Sequence, residues 1–516
     1  MAAIVDSITN VVSGNLAVSV LAAFLFYNLG LVFYRLFLSP LAKFPGPKIA
    51  AATGYYEFYH DYFRHGQYVF EIKKMHDKYG PIVRINPDEL SVHDPDFYNE
   101  LYVAGSVRRT ENYDHFARGI EFDGSHFLST DHDLHRRRRK PLEPFFSRLG
   151  VTRLEPMVAG VANRLVKRFE AVKGTGQVMR LDHAFVALSG DVIGRICCDN
   201  HTDMVDEEDF GVDWYNLLHD FIHRIPLVMA FPQMVSALRL IPERIMLWLD
   251  PRMKQMEKFQ NMARQHIIDA KSEKQKLSDS SFQSKNNTIF RHILTSGLPE
   301  SDLSVDRLGR EAQVLLGAGT VSSARTMDFI AFYIMNDDKV RARLQEELAP
   351  LMKDYPHKMP SWADLEKLSY FQALLKEGLR LSYGVMHRLP RVSPDVAIRF
   401  KDWVIPKGVP VGMSAYMMHT DERVYDEPFK FKPERWLDNV TPAMNRSLVP
   451  FAKGSRNCLG MNLAYVELNL VLASLFRPGG PELRLHETDE SDIVQSHDYL
   501  IPLPKLTSKG LRIKVY

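Results

Sequence analysis

Cysteine is scarce: there are three in 516 residues, and two of them, Cys197 and Cys198, are adjacent. That excludes a disulfide framework. The adjacent pair lacks metal-ligand spacing and reads as small apolar packing, so a reducing compartment suits the globular part. An excess of one charge is also missing. Lys and Arg total 65 against 63 Asp and Glu, a formal net charge of +2, which gives no electrostatic case for nucleic acid. The chain also lacks an internal repeat, a long Gly/Ser or Pro-rich linker in its middle, and any dinucleotide or flavin glycine motif. Length by itself suggests about three domains. The best linker candidate, the polar stretch Ser272 to Thr288, lies between two helical patterns and reads better as a surface loop. Apolar residues at helical spacing dominate 155–385, and β-rich patches cluster near 80–95 and beyond 385. One large, mainly α domain with a minor β region is expected over 49–516.

What is present begins at the N-terminus. Leu16 to Leu38 is apolar but for Arg35 near its end, and at ~1.5 Å per residue it is long enough for a ~30 Å bilayer core. No basic region precedes it and it exceeds a signal-peptide core, so a retained single transmembrane helix over 16–38 is expected. Asp6 is the one charge before the span, whereas Arg35, Lys43 and Lys48 follow or end it. The positive-inside rule puts residues 1–15 in the lumen and the large domain in the cytosol. Pro40 and Phe44-Pro-Gly-Pro47 make 39–48 a stiff, non-helical neck.

The most informative stretch is Phe451-Ala-Lys-Gly-Ser-Arg-Asn-Cys-Leu-Gly460. It sets Cys458 between Gly454 and Gly460, small residues that let backbone approach a flat ligand. The apolar run from Met461 to Leu472 reads as a buried helix, and Cys458 stands at its start, where free amides and the helix dipole favour a thiolate.

The spacing F-x-x-G-x-R-x-C-x-G resembles the haem-binding loop of the cytochrome P-450 family. The resemblance implies that Cys458 is the axial ligand of haem b iron, that Arg456 faces a propionate, and that Phe451, Gly454 and Gly460 shape the loop. It covers nearly the whole chain and implies the P-450 fold. Glu377 and Arg380, three apart on one helix face, resemble with Arg435 the family's buried Glu-Arg-Arg triad, a structural lock under the haem loop. Arg391 falls where the family places a propionate partner. His135-Arg-Arg-Arg-Arg139 resembles the helix that carries W-x-x-x-R, with His135 in the tryptophan position and Arg139 matching the arginine. Outward arginines of that run suggest a docking patch for an acidic electron donor.

Leu315-Leu-Gly-Ala-Gly-Thr-Val-Ser-Ser-Ala324 resembles the family's oxygen-handling segment, A/G-G-x-D/E-T-T/S. Ala318 and Gly319 match, and a small-residue step can let a helix open. Val321 stands where an acid is usual, and Ser322 where threonine is usual. The hydroxyl that handles protons is then Ser322 or Thr320, unless Ser322 back-bonds to its own helix; the relaying acid is missing.

The resemblance implies reductive oxygen activation, with thiolate donation aiding O–O cleavage and oxidation of a held C–H bond. It implies O2, an NADPH-dependent reductase as electron donor, and the endoplasmic reticulum membrane. The narrower likeness is to fungal secondary-metabolism members such as trichodiene oxygenase, which suggests a terpenoid or polyketide substrate. Arg118 to Phe127 and Trp214 to Leu249 are expected to supply apolar contacts to a lipophilic molecule. Two rivals share the thiolate: an isomerase or dehydratase acting on an already oxygenated substrate, and a non-catalytic haem sensor.

Overall fold

The computed structural model describes residues 2–117, 122, 124–233, 241–242, 244–245, 248, 253–277 and 288–516. Helices dominate, as the 3.6-residue periodicity of 155–385 requires. The Val305–Asn336 helix is the axis, N-capped by Ser304, whose Oγ accepts from the Arg307 N–H. It is buried on most faces because Leu181–Cys197, Met253–Lys276, Ser369–Ser382 and Met461–Phe476 all pack on it. It is crossed closely at two glycines: an added Cβ would lie 2.8 Å from Cγ1 of Ile193 at Gly319, and 2.1 Å from Cγ1 of Ile330 at Gly378 of the Ser369–Ser382 helix.

Met461–Phe476 is apolar on almost every face and correspondingly buried at Leu463 and from Val466 onward, with Glu467, Asn469 and Ser474 as wholly buried polar exceptions. The Ser369–Ser382 helix ends at Tyr383, which takes a left-handed conformation, and carries Glu377 and Arg380 inward.

Among the described residues the minor β region forms four small sheets. The largest runs in the order Ile82–Arg84, Leu90–Val92, Pro410–Gly412, Arg391–Val392, Glu111–Asn112. Only Leu90–Val92 and Pro410–Gly412 pair in parallel in this sheet. Its register sets Asn112 opposite Arg391, which brings a polar pair from distant segments to the floor of the main cavity.

At the N-terminus one helix runs from Ala2 to Phe33 and tightens into a π turn, Tyr34–Leu38. Within it, Val18–Leu38 is long and apolar enough to cross a membrane and is not buried against the protein. The backbone continues helical across the boundary drawn at residue 16; Gly14 disfavours a helix interior by only about 1 kcal/mol and does not end it. The proline neck is docked on the domain. Leu41 and Phe44 are buried, Phe44 stacks on Trp403 at 5.1 Å, and Arg84 donates to the Arg35 carbonyl at 2.7 Å. Of the polar stretch 272–288, residues 272–276 extend the Met253–Lys276 helix, and 278–287 lie outside the described residues.

Candidate active site

The Cys458 loop is held by backbone bonds. Gly454 to Arg456 form a 3-10 turn, and Gly454 has φ +78° with no room for a Cβ, which would sit 2.5 Å from the Val103 carbonyl oxygen. The Cys458 N–H donates to the Phe451 carbonyl at 2.8 Å, and the Phe451 ring leans on Tyr465 at 5.3 Å. Cys458 is open to the cavity that it lines but is surrounded by protein. Burial pushes its thiol up, while the Gly460 N–H and Arg139 act the other way. A Cβ at Gly460 would meet nothing within 4 Å, and Cys458 and Gly460 both line the cavity, which is the open space beside the sulfur.

Three of the arginines singled out in the sequence line the same cavity as Cys458: Arg139, Arg391 and Arg456. Arg139 grips the loop, donating to the Asn457 carbonyl at 2.7 Å and to its side-chain Oδ1 at 2.9 Å. Arg456 donates to the Ser129 and Thr130 carbonyls, each at 2.7 Å, and its Nε is buried without a partner. Arg391 donates to the Pro390 carbonyl at 3.0 Å and to Asn112 at 3.4 Å. Among the described residues no ion pair neutralises Arg391 or Arg456. Burial and the neighbouring Arg391 bring Arg456 down to about 9, and burial lowers Arg391 also. Two buried cations that repel each other call for an anion between them. A thiol, open space beside it and unneutralised guanidinium groups fit a flat macrocycle that carries two carboxylates.

His135 lines the cavity but is differently engaged. Its Nδ1 lies 2.8 Å from the His126 carbonyl and its Nε2 3.3 Å from the Ser455 carbonyl. Burial and Arg456 lower it to about 3, so it is neutral, with one N–H, and the shorter contact takes that proton. That bond ties the His132–Arg139 helix to the His126 carbonyl, and Nε2, left without a proton, makes no hydrogen bond to the Ser455 carbonyl of the 451–460 loop. In the rest of the basic run, Arg137 and Arg138 both pair with Asp302, at 3.0 and 2.9 Å; Arg136 and Lys140 remain exposed.

The Glu-Arg-Arg arrangement is assembled beneath. Arg380 bonds Glu377 through Nη2 at 2.8 Å and Nε at 2.9 Å, and both residues are wholly buried. Arg435 adds a bond to Glu377 at 3.0 Å. The rest of this network follows no local pattern. Trp436 Nε1 and the Lys432 N–H also donate to Glu377, at 2.8 and 2.9 Å. Arg380 reaches the His419 carbonyl at 2.7 Å.

The oxygen-handling segment departs from expectation at two places. The helix is continuous α from Val305 to Asn336, and Gly319 both lines the cavity and packs closely on Ile193. Thr320 is wholly buried, faces Gly190 of the neighbouring helix and bonds back to the Leu316 carbonyl at 2.7 Å. It does not line the cavity, because successive helical residues point about 100° apart. Ser322 does line it, with its hydroxyl bonded back to the Ala318 carbonyl at 2.9 Å. Val321 is buried on the same wall.

Above the loop the cavity is apolar. Phe122 and Phe127 from the first expected contact segment, and Leu217, Leu218, Phe221, Ile222 and Ile225 from the second, line it. Arg118 to Glu121, Asp123, Met234 and Leu249 lie outside the described residues. Two further imidazoles line the cavity, one of them within the first expected contact segment. His126 is bonded through Nδ1 to the buried Glu311, and His387 lies 3.1 Å from Asp498. Their partners are 185 and 111 residues away in sequence, so no local pattern marks them.

Comparison with known proteins bears on the same residues. Residues 45–500 match the sequence model of the family described as Cytochrome P450. The chain is similar to "Cytochrome P450 monooxygenase oblB" of Aspergillus clavatus, 55% identical over 96% of both chains. It is 52% identical to "Fusicoccadiene C-8 hydroxylase" of Phomopsis amygdali, over 94% of this chain and 93% of that one. "Stellatic acid synthase" of Emericella variicolor is 45% identical over 96% and 94%.

Proposed function

The chain belongs to the cytochrome P450 family, a haem-thiolate monooxygenase that uses O2 and externally supplied electrons, and from that premise we propose that it oxidises a polycyclic terpenoid. The observation that carries the substrate class is the apolar wall over Cys458, built from Phe122, Phe127, Phe221, Leu217, Leu218, Ile222 and Ile225. Such a wall favours a lipophilic molecule held by shape. Relatives named for fusicoccadiene and stellatic acid support a terpenoid over a polyketide.

In this reading haem b would be the bound group and the Cys458 sulfur would hold its iron. Arg391 and Arg456 would hold its carboxylates, which would neutralise two guanidinium groups that otherwise lack a counter-charge. Phe451, Gly454 and Gly460 would shape the bed, with His135 lining the cavity beside it, while Arg139 pins the loop from the facing helix. Bound there, the group supplies oxygen activation with thiolate donation. The protein's own part is positional: the apolar wall fixes which C–H bond faces the reacting centre and excludes water, and Ser322 offers a hydroxyl on the cavity side. Glu377, Arg380 and Arg435 keep the bed rigid.

An NADPH-dependent reductase supplies the electrons, and Arg136 and Lys140 are the exposed cations nearest the loop's supporting helix that suit an acidic partner. The Val18–Leu38 span supports anchoring in the endoplasmic reticulum membrane, with residues 1–15 lumenal, the 39–48 neck at the surface and 49–516 in the cytosol. The test is to reduce the purified protein, add carbon monoxide and record the spectrum, then supply reductase, NADPH and fusicoccadiene. A thiolate-type carbonyl spectrum and NADPH-dependent oxygenated product are expected. Absence of that spectrum removes Cys458 as ligand, and product formed without reductase favours the isomerase.

A further inference from the structure

One polar device is built into the apolar wall of the main cavity. His126 stands between Phe122 and Phe127 in sequence, and its ring lines the same chamber as Cys458. Behind it, on the central Val305–Asn336 helix, is Glu311, a wholly buried carboxyl. Glu311 holds His126 twice, accepting from the imidazole Nδ1 and from the His126 backbone N–H, the latter at 3.1 Å. Arg307, one turn earlier on the helix, donates to Glu311 through Nη2 and to the Gly124 carbonyl through Nε at 3.3 Å. Neither Glu311 nor Arg307 lines the cavity.

This clasp fixes which nitrogen carries the proton. Burial pushes the Glu311 carboxyl up, but His126 and Arg307 outweigh it and hold the group below its ordinary range. The imidazole therefore faces a carboxylate, which can only accept, and Nδ1 is the donor. Nε2 is the polar atom left over. Among the described residues it has no hydrogen-bond partner, and packing does not seal it off. Other polar side chains of the wall are already engaged. Ser322 bonds back to the Ala318 carbonyl, Thr326 to the Ser322 carbonyl, and His387 to Asp498. Apolar packing needs no ring held by two buried charges, which are costly to place. A ligand with a matching polar group does need one, because a group left unpaired in such a site is penalised.

We propose that His126 recognises a hydroxyl group of the substrate through Nε2, so that the cavity selects a polycyclic terpenoid alcohol over the parent hydrocarbon. This rests on the terpenoid reading above. A hydroxyl donates to a bare Nε2 or accepts from a protonated one, so it fits both states of the ring, whereas an ether or a ketone fits only the second. The contact pins the skeleton at one point, and the apolar wall then sets which C–H bond faces the reacting centre. Glu311 and Arg307 act through His126 and are positioning residues. A reaction that has already placed a hydroxyl on the ring skeleton must therefore supply the substrate.

The test is ligand binding to the full-length, haem-loaded protein, read from the shift in ferric haem absorbance. Fusicoccadiene is compared with monohydroxylated fusicoccadienes that differ in the position of the hydroxyl. Wild type should bind at least one of the alcohols about fivefold tighter than the hydrocarbon, the scale of one net hydrogen bond. His126→Asn keeps a donor where Nδ1 stands but has nothing in place of Nε2. It should erase the preference by weakening the alcohol and leaving the hydrocarbon unchanged, whereas a merely structural role would weaken both alike. No preference for any alcohol in wild type overturns the proposal, and so does a preference that survives in His126→Asn. If that variant does not take up haem, His126→Phe replaces it with the same outcomes. Failure of both to take up haem assigns the ring to the bed of the bound group and overturns the proposal as well. Decalin and decalol make a probe pair that does not depend on the terpenoid reading. If no terpenoid binds, a decalol preference that the variant removes counts against the substrate reading alone, and equal binding of the pair overturns the proposal.

Discussion

The Nδ1 of His419 lies 2.7 Å from the carbonyl oxygen of Arg380. Donation there fixes the tautomer, so Nε2 is the lone pair that accepts the Val449 N–H at 2.8 Å. One neutral imidazole thus ties the Glu377–Arg380 pair to the chain that enters the Cys458 loop.

Acid should loosen that tie. Burial and Arg380 lower His419 to about 3, against 6.5 in the unfolded chain. Below pH 6.5 the unfolded state takes up a proton that the folded state refuses, so stability is lost as pH falls from 6.5 towards 3. The shift is on the order of 4 kcal/mol over that window. Thermal melts across pH 4 to 7 should show His419→Gln less acid-sensitive than wild type, though less stable at pH 7; parallel curves would contradict the assignment.

Glu377 accepts from Arg380, Arg435, Trp436 and the Lys432 backbone. Glu377→Ala leaves two buried guanidinium groups without their carboxylate, at about 3–5 kcal/mol. The expected outcome is loss of haem content in the purified protein, read by the ratio of haem to protein absorbance. Retention of full haem content with normal melting would show that the lock is dispensable.

The crossing at Gly319 predicts a compensating pair. Gly319→Ala drives a Cβ to 2.8 Å from Ile193 Cγ1, and overpacking of this kind is worth ~1–3 kcal/mol of stability. Ile193→Ala removes the offending methyls. The double variant should therefore melt above the sum of its parts, a positive coupling in a double-mutant cycle. Strict additivity would mean that the two helices separate freely at that point.

These residues also mark how far the sequence could be read. The helical domain, the apolar N-terminal span and the loop around Cys458 were legible because each rests on local periodicity or on fixed short spacing. The Glu377–Arg380 face was legible for the same reason. Thr320 turns away from the cavity because helix spacing tells which residues share a face and not which neighbour that face meets; Gly190 decides it. His135 lines the cavity, but its hydrogen bond goes to a backbone carbonyl, which no residue pattern records. His126–Glu311 and Glu467–Ser189 were invisible, since each pair joins segments far apart in the chain.

Glu467 gives a pH dependence of opposite sense to His419. Burial raises its carboxyl to about 8, whereas an unfolded glutamate ionises near 4.5. Above pH 4.5 the unfolded chain releases a proton that the folded chain keeps, so the unfolded state binds fewer protons and stability falls as pH rises, until the folded carboxyl itself ionises near 8. At 1.36 kcal/mol per unit the span is on the order of 4 kcal/mol. Glu467→Gln carries no titrating proton and escapes this loss. Its melting temperature relative to wild type should climb steadily between pH 5 and pH 8, measured by circular dichroism on haem-loaded protein. If the difference between the two proteins is flat across that window, the buried carboxyl is ionised throughout.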